Sequence, residues 1–174
     1  MKRSLLALLA VVLFAAGCGS STPAAPTTPT KPTFTADLRT SNEVPPITGV
    51  EAGGSGSATV TFDVTRDAAG NVTAGTATFV VNLTGFPAST PINIAHIHNG
   101  AAGVAGPVIF STSLAAGEVV TNAAGTATFT KAGIAPPDLA TFNAVINNPA
   151  GFYFNAHSTL NGGGVVRGQL VRVQ

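Results

Sequence analysis

The chain contains no tryptophan and few cysteine, histidine and charged residues. The shortages of cysteine and of charge each exclude a kind of structure or partner. Cys18 is the only cysteine, so no internal disulfide can support the fold. Only 9% of the 174 residues are charged, with eight basic against seven acidic side chains. Because phosphate binding draws its affinity from clustered Lys and Arg, and the sequence has no such cluster, we predict no nucleic-acid partner.

The start of the chain has the pattern of a bacterial lipoprotein leader. Lys2 and Arg3 make the N-terminal segment positively charged, residues 5–14 are apolar, and the small residues 15–17 precede Cys18. This order is typical of a leader that is cleaved before a lipid-carrying cysteine, and the alternative is an ordinary signal peptide with an incidental cysteine. The apolar run is shorter than the ~20 residues of a membrane span. We predict a cell-envelope protein, anchored by lipid on Cys18 and facing the periplasm or cell exterior.

The predicted organisation is a leader at 1–18, a tether at 19–33 and one domain at 34–174. Residues 19–33 are mainly Ser, Thr, Pro and Ala, with one charge and no large apolar side chain. Such a composition cannot bury a core and is typical of an extended spacer. The remaining length is sufficient for a single domain with its own core.

The dominant hydrophobic period in this domain is two, which indicates strands. Within residues 58–65, Val60, Phe62 and Val64 alternate with polar residues. Further predicted strands, rich in β-branched and aromatic residues, are 33–39, 76–85, 92–98, 107–112, 126–130, 151–157 and 165–173. About eight short strands predict an all-β, antiparallel Greek-key sandwich. Residues 136–149 have helical spacing and predict one short helix across an end of the sandwich.

All three histidines lie in two of the predicted strands. His96 and His98 are separated by one residue, so their side chains lie on the same face, about 7 Å apart. His157 belongs to another strand, on the face opposite Phe154. Three imidazole nitrogens suit copper or zinc better than calcium or magnesium. His96, His98 and His157 are therefore a candidate metal site.

Two other roles for the histidines stay open. A buried His can satisfy itself by hydrogen bonds to neighbouring loops, and His96 shares its predicted strand face with Ile92 and Ile94, as a packed residue would. A pH switch or an acid–base role is the other alternative. No nucleophile pairs with the histidines, because Ser158 directly follows His157 and adjacent strand residues point to opposite faces.

Three segments of the domain follow one another in this order: FTADLRTSNEVPP at 34–46, AHIHNGAAGVAGPVIF at 95–110 and FYFNAHSTLNGGGVVRGQL at 152–170. Together they resemble the CHRD domain, which is named for the repeats of chordin. In animals such domains belong to an extracellular antagonist of a growth factor, and many bacterial secreted proteins also have them. The resemblance names a fold better than an activity. With the tether, it favours a non-enzymatic module that binds an extracellular or envelope protein or glycan.

A second resemblance, to the copper-zinc superoxide dismutases, concerns the same histidines. In that family a His-x-His strand and a distant His bind copper, and a later Arg beside Gly guides the anionic substrate. The resemblance implies that His96, His98 and His157 bind copper and that Arg167 is the guiding residue. The chain has no fourth histidine and no cysteine pair, so the implied site is copper-only or holds another metal.

Glu43 lies just before the rigid Pro45-Pro46 turn. We predict that its carboxylate anchors this turn through backbone amides or Arg167, and a catalytic role is the alternative. The sequence thus leaves two functions: a non-enzymatic binding module, or a copper- or zinc-binding surface metalloprotein in which redox activity is a further alternative.

Replacing Cys18 by Ala should abolish acylation, because the thiol is the attachment point, and leave unprocessed precursor or a soluble product. Detergent partitioning and the mass of the protein test this, with Ser20→Ala as the matched control. A Cys18→Ala protein that partitioned and weighed like its parent would contradict the lipoprotein prediction.

Overall fold

The computed structural model describes residues 31–174, so the leader, Cys18 and most of the tether lie outside the described residues. The strands are β1 Thr33–Arg39, β2 Ser55–Arg66, β3 Val72–Thr84, β4 Pro91–Asn99, β5 Val108–Ser111, β6 Val119–Val120, β7 Ala127–Ile134, β8 Phe152–Ser158, β9 Val166–Gln169 and β10 Val171–Arg172. One α-helix, α1, spans Leu139–Asn147. Within 31–174, no helix has the length and apolar character to cross a membrane.

The strands form one antiparallel sheet in the order β5-β4-β8-β9-β1-β2-β3-β7, with β6 paired to β4 and β10 to β1. The chain returns at its end to place β9 beside β1, next to the consecutive neighbours β2 and β3, as Greek-key connections do. The sheet curls so that its two edges approach each other. Phe110 of the edge strand β5 contacts Phe79 of β3, the neighbour of the other edge strand, with ring centroids 5.4 Å apart. The predicted all-β antiparallel sandwich with one short helix is confirmed.

Phenylalanine side chains fill the space inside the curled sheet. Phe62 lies 5.5 Å from Phe34 and 4.4 Å from Phe142 of α1, measured between ring centroids. The helix begins after Asp138, whose carboxylate accepts a hydrogen bond from the Thr141 backbone N–H at 2.7 Å, an N-cap contact. By burying Phe142, α1 adds to the core.

The structure differs from the predicted strands in several places, including four more residues at the start of β3 and four more at the end of β7. The two-residue strand β6 was not predicted, and the last predicted strand is divided at Leu170 into β9 and β10. A register shift lies between Ile92 and Ile94 in β4. Because of this bulge, Ile92 is fully buried in the core, whereas Ile94 is 38% exposed. The expectation that Ile92 shares a face with His96 is therefore wrong.

Replacing Phe62 by Ala should lower the free energy of unfolding by about 3–5 kcal/mol, because the ring is fully buried and its loss leaves a cavity. Urea unfolding followed by circular dichroism measures the change. Val173→Ala removes a side chain that is 58% exposed, and its effect should stay within about 0.5 kcal/mol. Equal losses from the two variants would contradict this core.

Candidate metal centre

The pairing of β4 with β8 brings the three histidines together. The register places His98 opposite Tyr153, His96 opposite Asn155 and Ile94 opposite His157. His157 is thus a diagonal neighbour of His96, on the face opposite the core. Each histidine offers one nitrogen such that all three atoms lie within 4.8 Å of one another, and His96 Nδ1 is 3.4 Å from His157 Nε2. We call these residues the three-histidine cluster.

Two backbone carbonyls orient the buried imidazoles of the cluster. His98 Nδ1 lies 2.9 Å from the Gly106 carbonyl oxygen, and His157 Nδ1 lies 3.0 Å from that of Gly162. Since a carbonyl oxygen only accepts, both Nδ1 atoms must carry the proton, which leaves a lone pair on each Nε2. The lone pair of His157 Nε2 can accept a hydrogen bond from His96 Nδ1 at 3.4 Å. His98 Nε2 is buried and has no hydrogen-bond partner among the described residues. Such orientation of the ring by its other nitrogen is typical of metal-bound histidine.

The Gly106 carbonyl that accepts from His98 lies in a loop whose backbone path requires glycine at position 106. A Cβ on Gly106 would collide with the Asn99 carbonyl oxygen. The loop folds back on β4, with the Asn99 N–H donating to the Pro107 carbonyl at 3.0 Å. Glycine at 106 therefore permits the close approach that brings its carbonyl to the imidazole.

The Gly162 carbonyl that accepts from His157 lies in a loop anchored by the buried carboxylate of Glu51. The sequence pattern did not indicate this role for Glu51. Glu51 is 3% exposed and accepts hydrogen bonds from Ser158 Oγ at 2.7 Å and Asn161 Nδ2 at 2.5 Å. Ser158 Oγ in turn accepts from the Asn161 backbone N–H at 2.9 Å. These bonds anchor the loop that carries Gly162. Glu51 and Ser158 are 107 positions apart, and no local motif connects them.

The environment of the cluster keeps its imidazoles uncharged at neutral pH. Burial, followed by the neighbouring His157 and His98, lowers the pKa of His96 to about 4. Burial is also the largest cause that lowers the pKa of His98 and of His157, against the opposing effect of their carbonyl partners. A neutral imidazole is the form that binds a metal, so the cluster needs no deprotonation to accept one.

Arg167 is buried beside the cluster and is separated from it by an aromatic ring. Its Cζ lies 3.5 Å above the Tyr153 ring centroid, and Tyr153 stacks on His98 with centroids 4.8 Å apart and an 11° interplanar angle. The guanidinium donates to the Ala101 and Val104 carbonyls at 3.3 and 3.1 Å. Arg167 is only 2% exposed, which argues against the substrate-guiding role implied by the dismutase resemblance.

Glu43 does not make the predicted contacts. No ion pair between Glu43 and Arg167 is present in residues 31–174. Glu43 Oε1 and Asn155 Oδ1 are both buried without a hydrogen-bond partner in this part of the chain. Burial raises the pKa of Glu43 to about 7, although the charge of Arg167 and the Asn155 amide act to lower it. Glu43 is therefore a carboxyl that changes its charge near neutral pH.

These features define an antiparallel β-sandwich with a largely buried three-histidine cluster on its outer face. The family model of the CHRD domain matches residues 34–170, most of the chain. The chain belongs to the CHRD family, which confirms the resemblance of the three sequence segments. No curated protein matches the sequence.

Replacing Glu43 by Gln should increase stability more at pH 8 than at pH 5. Because the folded pKa of about 7 exceeds the ordinary value of 4.5, the native state binds more protons between these values, and Glu43 makes the fold less stable as pH rises through them. Gln does not titrate, so the variant should gain about 1–3 kcal/mol relative to the parent across this range. Urea unfolding at each pH measures the difference.

Glu118→Gln is the control for this experiment, because the Ala115 N–H and Lys131 lower the pKa of that exposed carboxyl. Its effect should have the opposite sign, with stability lost above the ordinary pKa. A difference between Glu43→Gln and its parent that did not change from pH 5 to pH 8 would contradict the raised pKa.

Proposed function

We propose that this CHRD protein is an exported, lipid-anchored module that binds one copper or zinc ion through His96, His98 and His157. The observation that carries the proposal is the convergence of three neutral imidazoles, with ligating atoms within 4.8 Å of one another. Nitrogen ligands lie about 2.0–2.1 Å from zinc, so two ligands of one ion are at most about 4 Å apart. Small rotations of the imidazoles would satisfy that limit.

A purely structural hydrogen-bond network leaves one buried nitrogen of the cluster unexplained. It accounts for the Nδ1 atoms of His98 and His157, which have carbonyl partners, and for His157 Nε2, which lies 3.4 Å from His96 Nδ1. It does not account for the buried His98 Nε2, whose lone pair has no partner among the described residues. Leaving such a group unsatisfied costs about 1–3 kcal/mol. A bound metal ion would satisfy this nitrogen together with those of His96 and His157.

The proposed location rests on the leader pattern and on the Pro- and Thr-rich tether at 19–33. Lipid on Cys18 would hold the domain at the cell envelope, with the tether as spacer. The second function predicted from the sequence, recognition of an envelope protein or glycan without catalysis, is supported by the family and by the tether. Metal binding has the additional support of the cluster geometry, and it is the function we place first.

The purified protein should bind one copper or zinc ion per chain, and His98→Ala should weaken binding at least about 100-fold, because it removes an oriented ligand. Isothermal titration and elemental analysis measure affinity and stoichiometry. The matched control is Ile94→Ala, which truncates a side chain of the same strand without removing a ligating atom.

Equal affinities of the parent and His98→Ala would show that the metal binds elsewhere. Absence of stoichiometric copper or zinc from the parent, with the fold intact by circular dichroism, would return the histidines to a structural role. Loss of binding in Ile94→Ala to the same extent as in His98→Ala would also contradict the proposed ligand set.

A further inference from the structure

We propose that the preferred ion of the three-histidine cluster is Cu(I), and that the buried charge of Arg167, acting across Tyr153, sets this preference. The inference rests on the proposed metal-binding function and deepens it. It assigns to Arg167 the role of a positioning and charge-setting residue, not of a ligand.

The first argument is the charge of the ligands. The cluster consists of three imidazoles, and no carboxylate or thiolate belongs to it within residues 31–174. Neutral donors leave the full charge of the ion in place, so a Cu(I) centre would carry one positive charge and a Cu(II) or Zn(II) centre two. Three donors also suffice for Cu(I), whereas Cu(II) prefers tetragonal surroundings with more ligands.

The second argument is the row formed by His98, Tyr153 and Arg167 across three neighbouring strands. Their strands follow the order β4, β8, β9 in the sheet. Tyr153 stacks on His98, and the guanidinium of Arg167 lies over the Tyr153 ring. The side chains occupy opposite faces of the ring, since both could not stack on one face without collision. A fixed cation therefore lies one aromatic ring away from a metal ligand.

The third argument is that the charge of Arg167 is poorly compensated. Its guanidinium donates to two neutral carbonyls, of Ala101 and Val104, and none of the ion pairs in residues 31–174 includes it. Glu43 is close enough for Arg167 to act on its pKa, yet burial keeps that carboxyl partly protonated near pH 7.

The size of the effect follows from the charge difference between the ions. The two stacking distances, 3.5 Å and 4.8 Å, put Arg167 roughly 10 Å from an ion beside His98. At an effective dielectric constant of about 20, one additional unit charge at that distance changes affinity about tenfold. Arg167 should therefore disfavour Cu(II) and Zn(II) relative to Cu(I) by about this factor.

The experiment measures Cu(I), Cu(II) and Zn(II) affinities of the parent, Arg167→Gln and Arg167→Lys by competition with chromogenic chelators, with Cu(I) kept under anaerobic conditions. The parent should bind Cu(I) more tightly than Cu(II). Arg167→Gln should lower the ratio of Cu(I) to Cu(II) affinity about tenfold, and its Zn(II) affinity should rise relative to Cu(I). Arg167→Lys retains the charge, and its ratio should stay within about threefold of the parent.

A merely structural Arg167 would lower the three affinities together and leave their ratio unchanged, which would overturn the inference, as would equal ratios in the Gln and Lys variants. A parent that bound Cu(II) or Zn(II) more tightly than Cu(I) would overturn it while leaving the proposed metal site intact. This comparison needs no variant and decides the ion preference even if Arg167→Gln does not fold, and the Lys variant then tests the role of the charge. A parent that bound no metal would overturn the proposed function itself.

Discussion

The register between β4 and β8 is the constraint on which the three-histidine cluster depends. Side chains alternate with a period of two along a strand, so a slip of one residue would turn His96 and His98 to the core face and Ile97 to the outer face. Ile97 is fully buried and opposite Phe154, which is also fully buried. Burial of Ile97 and Phe154 therefore specifies the register, and the register places the three imidazoles next to one another.

Loops over the outer face convert this strand pair into a partly buried site. All seven residues of β8 are buried, although only alternate side chains face the core. The loop that contains Gly106 and the loop that contains Gly162 cover the other face and supply the carbonyls that orient His98 and His157. Glu51 anchors the second loop from a distant part of the chain. The same two loops thus bury the imidazoles and orient them.

Although charged residues are scarce in this chain, three of them are buried near the cluster. The hydrogen bonds of Glu51 satisfy its carboxylate, whereas Glu43 retains an oxygen without a partner among the described residues. Arg167 has carbonyl partners and an aromatic ring but no carboxylate in ion-pair contact in that part of the chain. In a low-dielectric surrounding such charges act over longer distances than at the surface.

By itself the sequence determined the fold class, most strands, the helix near Phe142 and the shared face of His96 and His98, because these follow from local periodicity. It also contains the three segments that indicated the CHRD family. Only the tertiary structure decided that His157 lies beside His96 and that Tyr153 separates Arg167 from the cluster. Strand order, the bulge in β4 and the contacts of Glu51 join residues far apart in the chain, and local patterns do not encode such pairings.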